Sequence, residues 1–246
     1  MSDETPVLYR EETDIAHVTL NAPKRKNSMT AESIGLLAEA WEAFENGSAR
    51  VAILTGSGGS FCAGLDLETL PDPSPGIPGI GVPITKPVIA AISGPAIGLG
   101  LTLTVQADLA IADERAFFQY PEGKIGFTGG LIAGLAARVP AKIAHEIILL
   151  GNKVGAERAA QTGLINEVVP TGALAGRAAE MAANIASSAP LVLNSLKAEL
   201  ARAIPASSAE TSGLFRARMA RIRDSEDREE GLAAFREKRR PLFTGK

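Results

Sequence analysis

Few residues of this chain are placed to do chemistry. Glu122 follows Phe117-Phe118-Gln119-Tyr120-Pro121 and precedes Gly123, so a carboxylate ends an aromatic, proline-terminated stretch. Partial desolvation there would raise its pKa toward a value suited to proton transfer. A solvent-facing loop acid is the plainer alternative. Two glycine turns are the other candidates. Phe61-Cys62-Ala63-Gly64-Leu65-Asp66 follows a strand and a Gly/Ser loop, and Gly94-Pro95-Ala96-Ile97-Gly98-Leu99-Gly100 follows a second strand and opens a helix. A helix start leaves unpaired N–H groups and a partial positive charge, which together can hold an anionic oxygen. Either turn by itself is as readily structural.

Other chemistries find little support. The second turn lacks the G-x-G-x-x-G spacing of a dinucleotide site, and no G-x-x-x-x-G-K-[ST] phosphate loop or G-x-S-x-G elbow occurs. His17 and His145 have no Cys, His or carboxylate neighbour at ligand spacing, so no metal site is expected. Cys62 is the single cysteine and reads as a small buried packing residue rather than a nucleophile. Asp108 and Asp113 flank a buried strand and read as turn caps.

The elements that must position these residues follow from periodicity. Residues 7–10 and 14–20 read as short strands, the second ended by Asn21-Ala22-Pro23. Thr30 is a helix N-cap, and Ile34, Leu37, Ala38, Trp41 and Phe44 recur at helical spacing, which predicts an amphipathic helix over 31–46. Buried strands are expected at 51–55, 87–92 and 109–112, a short extended piece from Phe117, and another at 164–169. The spacing predicts a buried helix from Ile97 to Val105. Five prolines and three glycines make 71–85 a loop. Segments 129–137, 140–150, 155–162 and 173–187 are expected to be helical, and the chain beyond 190 almost wholly so. Strand and helix in alternation argue an α/β fold.

The bulk numbers are those of an ordinary globular enzyme: 246 residues, 46% hydrophobic, 22% charged. A net charge of −3 gives no general reason to bind nucleic acid or membrane. The opening Met1 to Pro6 is polar and acidic, unlike a signal peptide, and no run of eighteen apolar residues occurs. With one cysteine, a cytoplasmic setting is the expectation. Arg216 to Lys246 holds ten Lys/Arg against six Asp/Glu, a locally basic tail in an acidic chain.

Together these pieces resemble the crotonase family, the enoyl-CoA hydratase/isomerase superfamily. The resemblance begins at Asn21-Ala22-Pro23-Lys24-Arg25-Lys26-Asn27-Ser28-Met29 and runs through Phe61 to Leu67, Lys86 to Gly98, Asp108-Leu109 and Gly163 to Pro170. It ends at Asp227 to Phe235 and Lys238-Arg239-Arg240-Pro241. It implies a ββα spiral core over 1–190, which binds acyl-CoA, and a helical C-terminal region over 191–246 that packs at subunit contacts in a trimer or dimer of trimers. The backbone N–H groups of Leu65 and Leu99 would hold the thioester oxygen. Ala63, Leu65, Asp66, Leu67, Glu68 and Leu99 would contact the substrate, and Lys24 and Lys26 would meet CoA phosphates. The tail near Lys238 to Arg240 would reach a neighbour's nucleotide site. Coenzyme A enters as part of the substrate, so no separate cofactor is expected.

Three departures from the family stand out. Hydratases carry a second glutamate where this chain has Thr102, whose hydroxyl can only hydrogen-bond near neutral pH. The stretch between Asp66 and Lys86 is short and Pro/Gly-rich where the family has a helix over the acyl pocket. Leu99 stands where glycine is common. Removing a proton beside a thioester carbonyl builds charge on its oxygen, which two prepositioned N–H groups oppose. One glutamate then suffices for double-bond migration, whereas hydration is better served by two. The expectations are, in order, enoyl-CoA isomerisation through Glu122, hydration by Glu122 with Thr102 orienting water, and a non-catalytic acyl-CoA carrier. Decarboxylation, dehalogenation and hydrolysis rank behind these.

Overall fold

The structure is a computed structural model and describes residues 5–246; residues 1–4 of the acidic opening lie outside the described residues. The larger sheet takes the order β1-β2-β3-β4-β6-β9, from β1 (Val7–Glu12), β2 (Ile15–Leu20), β3 (Val51–Gly56), β4 (Val88–Ile92), β6 (Leu109–Asp113) and β9 (Glu167–Val169). The first pair is antiparallel and the rest are parallel. Central strands of a parallel sheet are covered on both faces, which is why β4 reads as the unbroken apolar run Val-Ile-Ala-Ala-Ile and is wholly buried. On one face Val51, Ile53, Ile89, Ala91 and Ile111 meet Leu174, Ala178, Ala182 and Ala186 of α6 (Leu174–Ala186). On the other, Ala52, Leu54, Ala90 and Ile92 join the main core with Ile34, Leu37, Trp41 and Phe44 of α1 (Ala31–Asn46). The predicted cap holds: Thr30 Oγ1 accepts from Ser33 N at 3.2 Å.

The helix expected from Ile97 starts later. Pro95–Ile97 is a strand, β5, in a second sheet with β7 (Phe117–Gln119) and β8 (Val154–Gly155), and α2 runs over Leu99–Gln106. Ile97 N donates to Cys62 O, so its backbone is committed to extended pairing. Gly98, at φ 55° and ψ −110°, makes the break between strand and helix.

The 71–85 segment is a loop as expected, with a 3-10 turn at Ser74–Gly76, but much of it is interior. Ile77, Ile80, Val82 and Ile84 are buried. Its backbone is satisfied partly within the loop, as where Gly79 N donates to Val82 O at 2.8 Å, and partly from outside it: Trp41 Nε1 donates to Gly76 O at 2.9 Å, and Thr85 N donates to Glu45. That answers the usual objection to burying irregular chain.

A four-residue helix α3 (Glu122–Ile125) follows β7. Next come a 3-10 helix at Leu131–Ala137, α4 (Ala141–His145) with a π-helical turn at Glu146–Leu150, and α5 (Ala156–Gln161). The C-terminal region is helical as expected: α7 (Pro190–Ala203), α8 (Ser208–Arg223) and α9 (Glu226–Glu237). α7 buries no residue, and Lys197 Nζ ties it to Asp108 Oδ2 and Lys86 O at 2.7 Å each. Asp108 also accepts from Val88 N, and Asp113 from Arg115 N, so both are caps as expected. No helix among the described residues is long and apolar enough to cross a membrane.

Candidate active site

The two glycine turns come together because their strands pair. Cys62 and Ala96 form a parallel bridge, with Cys62 N donating to Pro95 O and Ile97 N to Cys62 O. The approach leaves no room for side chains. A Cβ on Gly100 would lie 2.5 Å from Cys62 O, and one on Gly64 (φ 103°) 3.3 Å from Ile97 O. Cys62 itself is fully buried, and burial pushes its thiol up to about 12, so it is the inert packing residue expected. His17 lies in β2 and His145 at the exposed end of α4; no metal-binding cluster occurs among the described residues.

The first turn is fixed on its other side by the 22–29 loop. Ala63 N donates to Lys26 O, Met29 N to Gly64 O and Asp66 N to Met29 O. Asn27 holds that loop in place. Its side chain accepts from Ala22 N and donates to Ser57 O and Ser60 O at 3.0 and 2.6 Å, with the residue 1% exposed at φ 57°. The sequence contains this residue inside a matching block but assigned it no role. Asn27→Ala strands three backbone partners, and a loss of about 2–4 kcal/mol is expected. Urea unfolding checks it, with the midpoint falling markedly.

Leu65 and Leu99 both line one cavity of about 200 Å³. Among the described residues neither N–H donates to a protein group. Leu99 is the first residue of α2, where N–H groups are left over by the helix geometry. Ala63, Gly64 and Leu67 belong to the same wall, Leu67 being 63% exposed at the mouth. Asp66 and Glu68 do not line the cavity. Asp66 Oδ1 accepts from the backbone N–H and hydroxyl of Thr69 and from the backbone N–H of Glu68, which hold its carboxyl below the usual range and fix the turn. Lys24 and Lys26 are exposed on the 22–29 loop and also lie off the cavity, with no ion pair among the described residues. The Arg239 guanidinium pairs with Glu230 and Glu237 of its own tail.

Glu122 also lines the cavity, in the first turn of α3 rather than in a loop. Its Oε1 would lie 2.6 Å from a Cβ on Gly98, so the carboxylate rests against that glycine. Oε2 is buried without a hydrogen-bond partner among the described residues. Desolvation raises its pKa from 4.5 to about 7. The other cavity residue able to exchange a proton is Tyr120, pushed up to about 12 by burial and hydrogen-bonded to Thr128 Oγ1 at 3.0 Å. Thr102 faces the cavity, and its hydroxyl donates to Gly98 O at 3.2 Å. The rest is apolar, including Leu70, Pro73, Ile125, Phe127 and Leu131. Leu70 and Pro73 come from the Pro/Gly-rich stretch noted after Asp66, whereas no sequence signal marked Ile125, Phe127 or Leu131. Two unpaired donors and one desolvated carboxylate on the wall of one cavity can move a proton at a carbon whose charge spreads to an oxygen.

The family model described as enoyl-CoA hydratase/isomerase matches residues 10–75 and 82–246, its gap falling in the Pro/Gly loop. The (E)-benzylidenesuccinyl-CoA hydratase of Thauera aromatica is 37% identical over 98% of this chain and 99% of its own length. The carnitinyl-CoA dehydratase of Proteus mirabilis is 36% identical over 94% and 95%. The crystal structure of an enoyl-CoA hydratase from Mycobacterium tuberculosis superposes with a TM-score of 0.74 at 33% identity, covering 99% of this chain and all of that one. The chain has the crotonase fold and belongs to the enoyl-CoA hydratase/isomerase family of enzymes that process acyl-CoA.

Proposed function

We propose that the chain moves the double bond of an enoyl-CoA. Glu122 takes a proton from C2 of a 3-enoyl thioester and returns it to C4, leaving the conjugated 2-enoyl product. The N–H groups of Leu65 and Leu99 oppose the charge on the thioester oxygen while the dienolate exists. Residues 63–68 run along the pantetheine and adenine, and Lys24 and Lys26 neutralise phosphate. One observation carries the choice of reaction. Among the described residues Glu122 is the single carboxylate on the cavity wall, and the hydroxyl at Thr102 has its proton engaged by Gly98 O. A 1,3-proton shift needs one base that gives back what it takes, whereas hydration needs a water held, deprotonated and partnered by a proton donor to carbon. Leu191, Leu196, Phe215 and Phe235, exposed on the C-terminal helices, suit packing in a trimer.

Hydration is the second reading, supported by the names of the relatives, which are hydratases and dehydratases. Incubation with a trans-3-enoyl-CoA and, separately, a trans-2-enoyl-CoA decides between them. Isomerisation converts the first to the second with no 3-hydroxyacyl-CoA. Rapid hydration of the 2-enoyl thioester, lost in Glu122→Gln, sinks the isomerase reading. Tight acyl-CoA binding with no turnover of either substrate sinks both.

The base must be ionised to act, and burial sets its pKa at about 7. Isomerase kcat/KM is therefore expected to fall tenfold per pH unit below that value and to level off above it. A profile flat from pH 5.5 to 8 excludes Glu122 as the base.

A further inference from the structure

The buried wall of the acyl cavity is backed by a helix of the C-terminal region. Gly213 of α8 stands directly behind Leu131, which lines the cavity and is 3% exposed. A Cβ at position 213 would lie 2.8 Å from Leu131 Cδ2, 3.2 Å from Ile80 Cγ2 and 3.3 Å from Ser74 Oγ. The helix is anchored at both ends of this contact. Glu210, 5% exposed, accepts from Gln106 Nε2 at 2.6 Å and pairs with Arg138 at 3.0 Å. Arg216 donates to Asp72 Oδ2 and Ser74 Oγ. Leu131 therefore has a fixed helix behind it and the cavity in front.

Size and charge bound what fits. The cavity of about 200 Å³ must hold the thioester as well as the acyl group. An apolar cavity of about 150 Å³ accommodates one benzene molecule. Among the described residues no Lys, Arg or His side chain lines the wall, and Glu122 stands on it. A second carboxylate on the acyl group would be desolvated beside a like charge with no counter-ion.

We infer that this enzyme takes a compact, uncharged acyl group, a chain of about six carbons or a single ring, and that Leu131 backed by Gly213 is the depth stop. The inference rests on the proposed site only for where the acyl group lies, not on which reaction follows. Binding of saturated acyl-CoAs, which cannot isomerise or hydrate, separates the two. Calorimetric titration is expected to give affinity rising from butyryl- to hexanoyl-CoA and at least tenfold weaker for decanoyl-CoA. Adipyl-CoA, with a terminal carboxylate, should bind at least tenfold more weakly than hexanoyl-CoA. Leu131→Ala should recover decanoyl-CoA binding by tenfold or more relative to butyryl-CoA. Gly213→Ala should move the break to shorter chains, and Leu131→Phe should do the same without touching α8 if that variant fails to fold. Decanoyl-CoA binding the unaltered protein as tightly as hexanoyl-CoA, an unchanged length profile in Leu131→Ala, or equal affinity for adipyl- and hexanoyl-CoA overturns the proposal.

Discussion

Glu122→Gln is expected to lower kcat by about a hundred- to ten-thousand-fold while leaving acyl-CoA affinity within a few-fold of the unaltered protein. The size follows from the cavity's contents. Apart from Tyr120, whose phenol is raised by burial and tied to Thr128, no other cavity residue exchanges protons, so nothing nearby substitutes for the carboxylate. Glutamine preserves shape and length, and the N–H groups of Leu65 and Leu99 still meet the thioester, so ground-state binding survives. Steady-state rates with a 3-enoyl-CoA and titration with a saturated analogue separate the two quantities. A variant retaining more than a tenth of the rate assigns the proton chemistry elsewhere.

The same substitution carries a stability signature of opposite sign. The folded chain holds Glu122 at about 7 and the ordinary value is 4.5. Between those values the folded state keeps a proton that the unfolded state has released, so stability falls as pH rises through the window. Above 7 the protein carries a desolvated carboxylate with an unpartnered oxygen. Glu122→Gln cannot ionise and is therefore expected to melt higher than the unaltered protein at pH 8, with the difference shrinking toward pH 4.5. An inactive but more stable variant is the mark of a group retained for chemistry rather than folding.

What the sequence made legible, and what it did not, follows from the range of each interaction. Helix α1 was readable to its ends because a side-chain cap and a five-residue apolar stripe are local facts. Strands β3 and β4 announced themselves as apolar runs. The strand at Pro95–Ile97 did not, since its partners are Cys62 and Phe117 to Gln119, and nothing within three residues specifies that pairing. The interior character of 71–85 likewise depends on Trp41 and α1 reaching it from elsewhere. At the site, Leu65, Leu99 and Glu122 were identified by motif, yet the contact between Glu122 and Gly98 and the backing of Leu131 by Gly213 arise only on folding. Conversely, Asp66, Glu68 and Lys24 lie in matching blocks but off the cavity wall. The resemblance assigns them to the CoA part of the substrate rather than to the acyl group.

Gly98 is where the two halves of the site meet, and its substitution tests both. Its φ of 55° and ψ of −110° lie outside the region open to residues with a Cβ, so alanine there carries about 1–3 kcal/mol of backbone strain. The added carbon would also stand 2.6 Å from Glu122 Oε1 and 3.8 Å from Gly64 Cα. The chain has two ways to relax. If the carboxylate moves away, the base leaves the position from which it reaches substrate. If the turn moves instead, the N–H of Leu99, the next residue along, leaves its place opposite the N–H of Leu65, and loss of one such donor costs about a hundred- to a thousand-fold in kcat. Either route predicts that Gly98→Ala lowers kcat at least a hundredfold and depresses the melting temperature by several degrees. Gly35→Ala is the matched control, because a Cβ there meets nothing within 4 Å and α1 gains from the better helix former. It should keep full activity and melt no lower. Should Gly98→Ala keep the unaltered rate, the juxtaposition of carboxylate and second donor is not what makes this site work, and the proton transfer assigned to Glu122 loses its geometric basis.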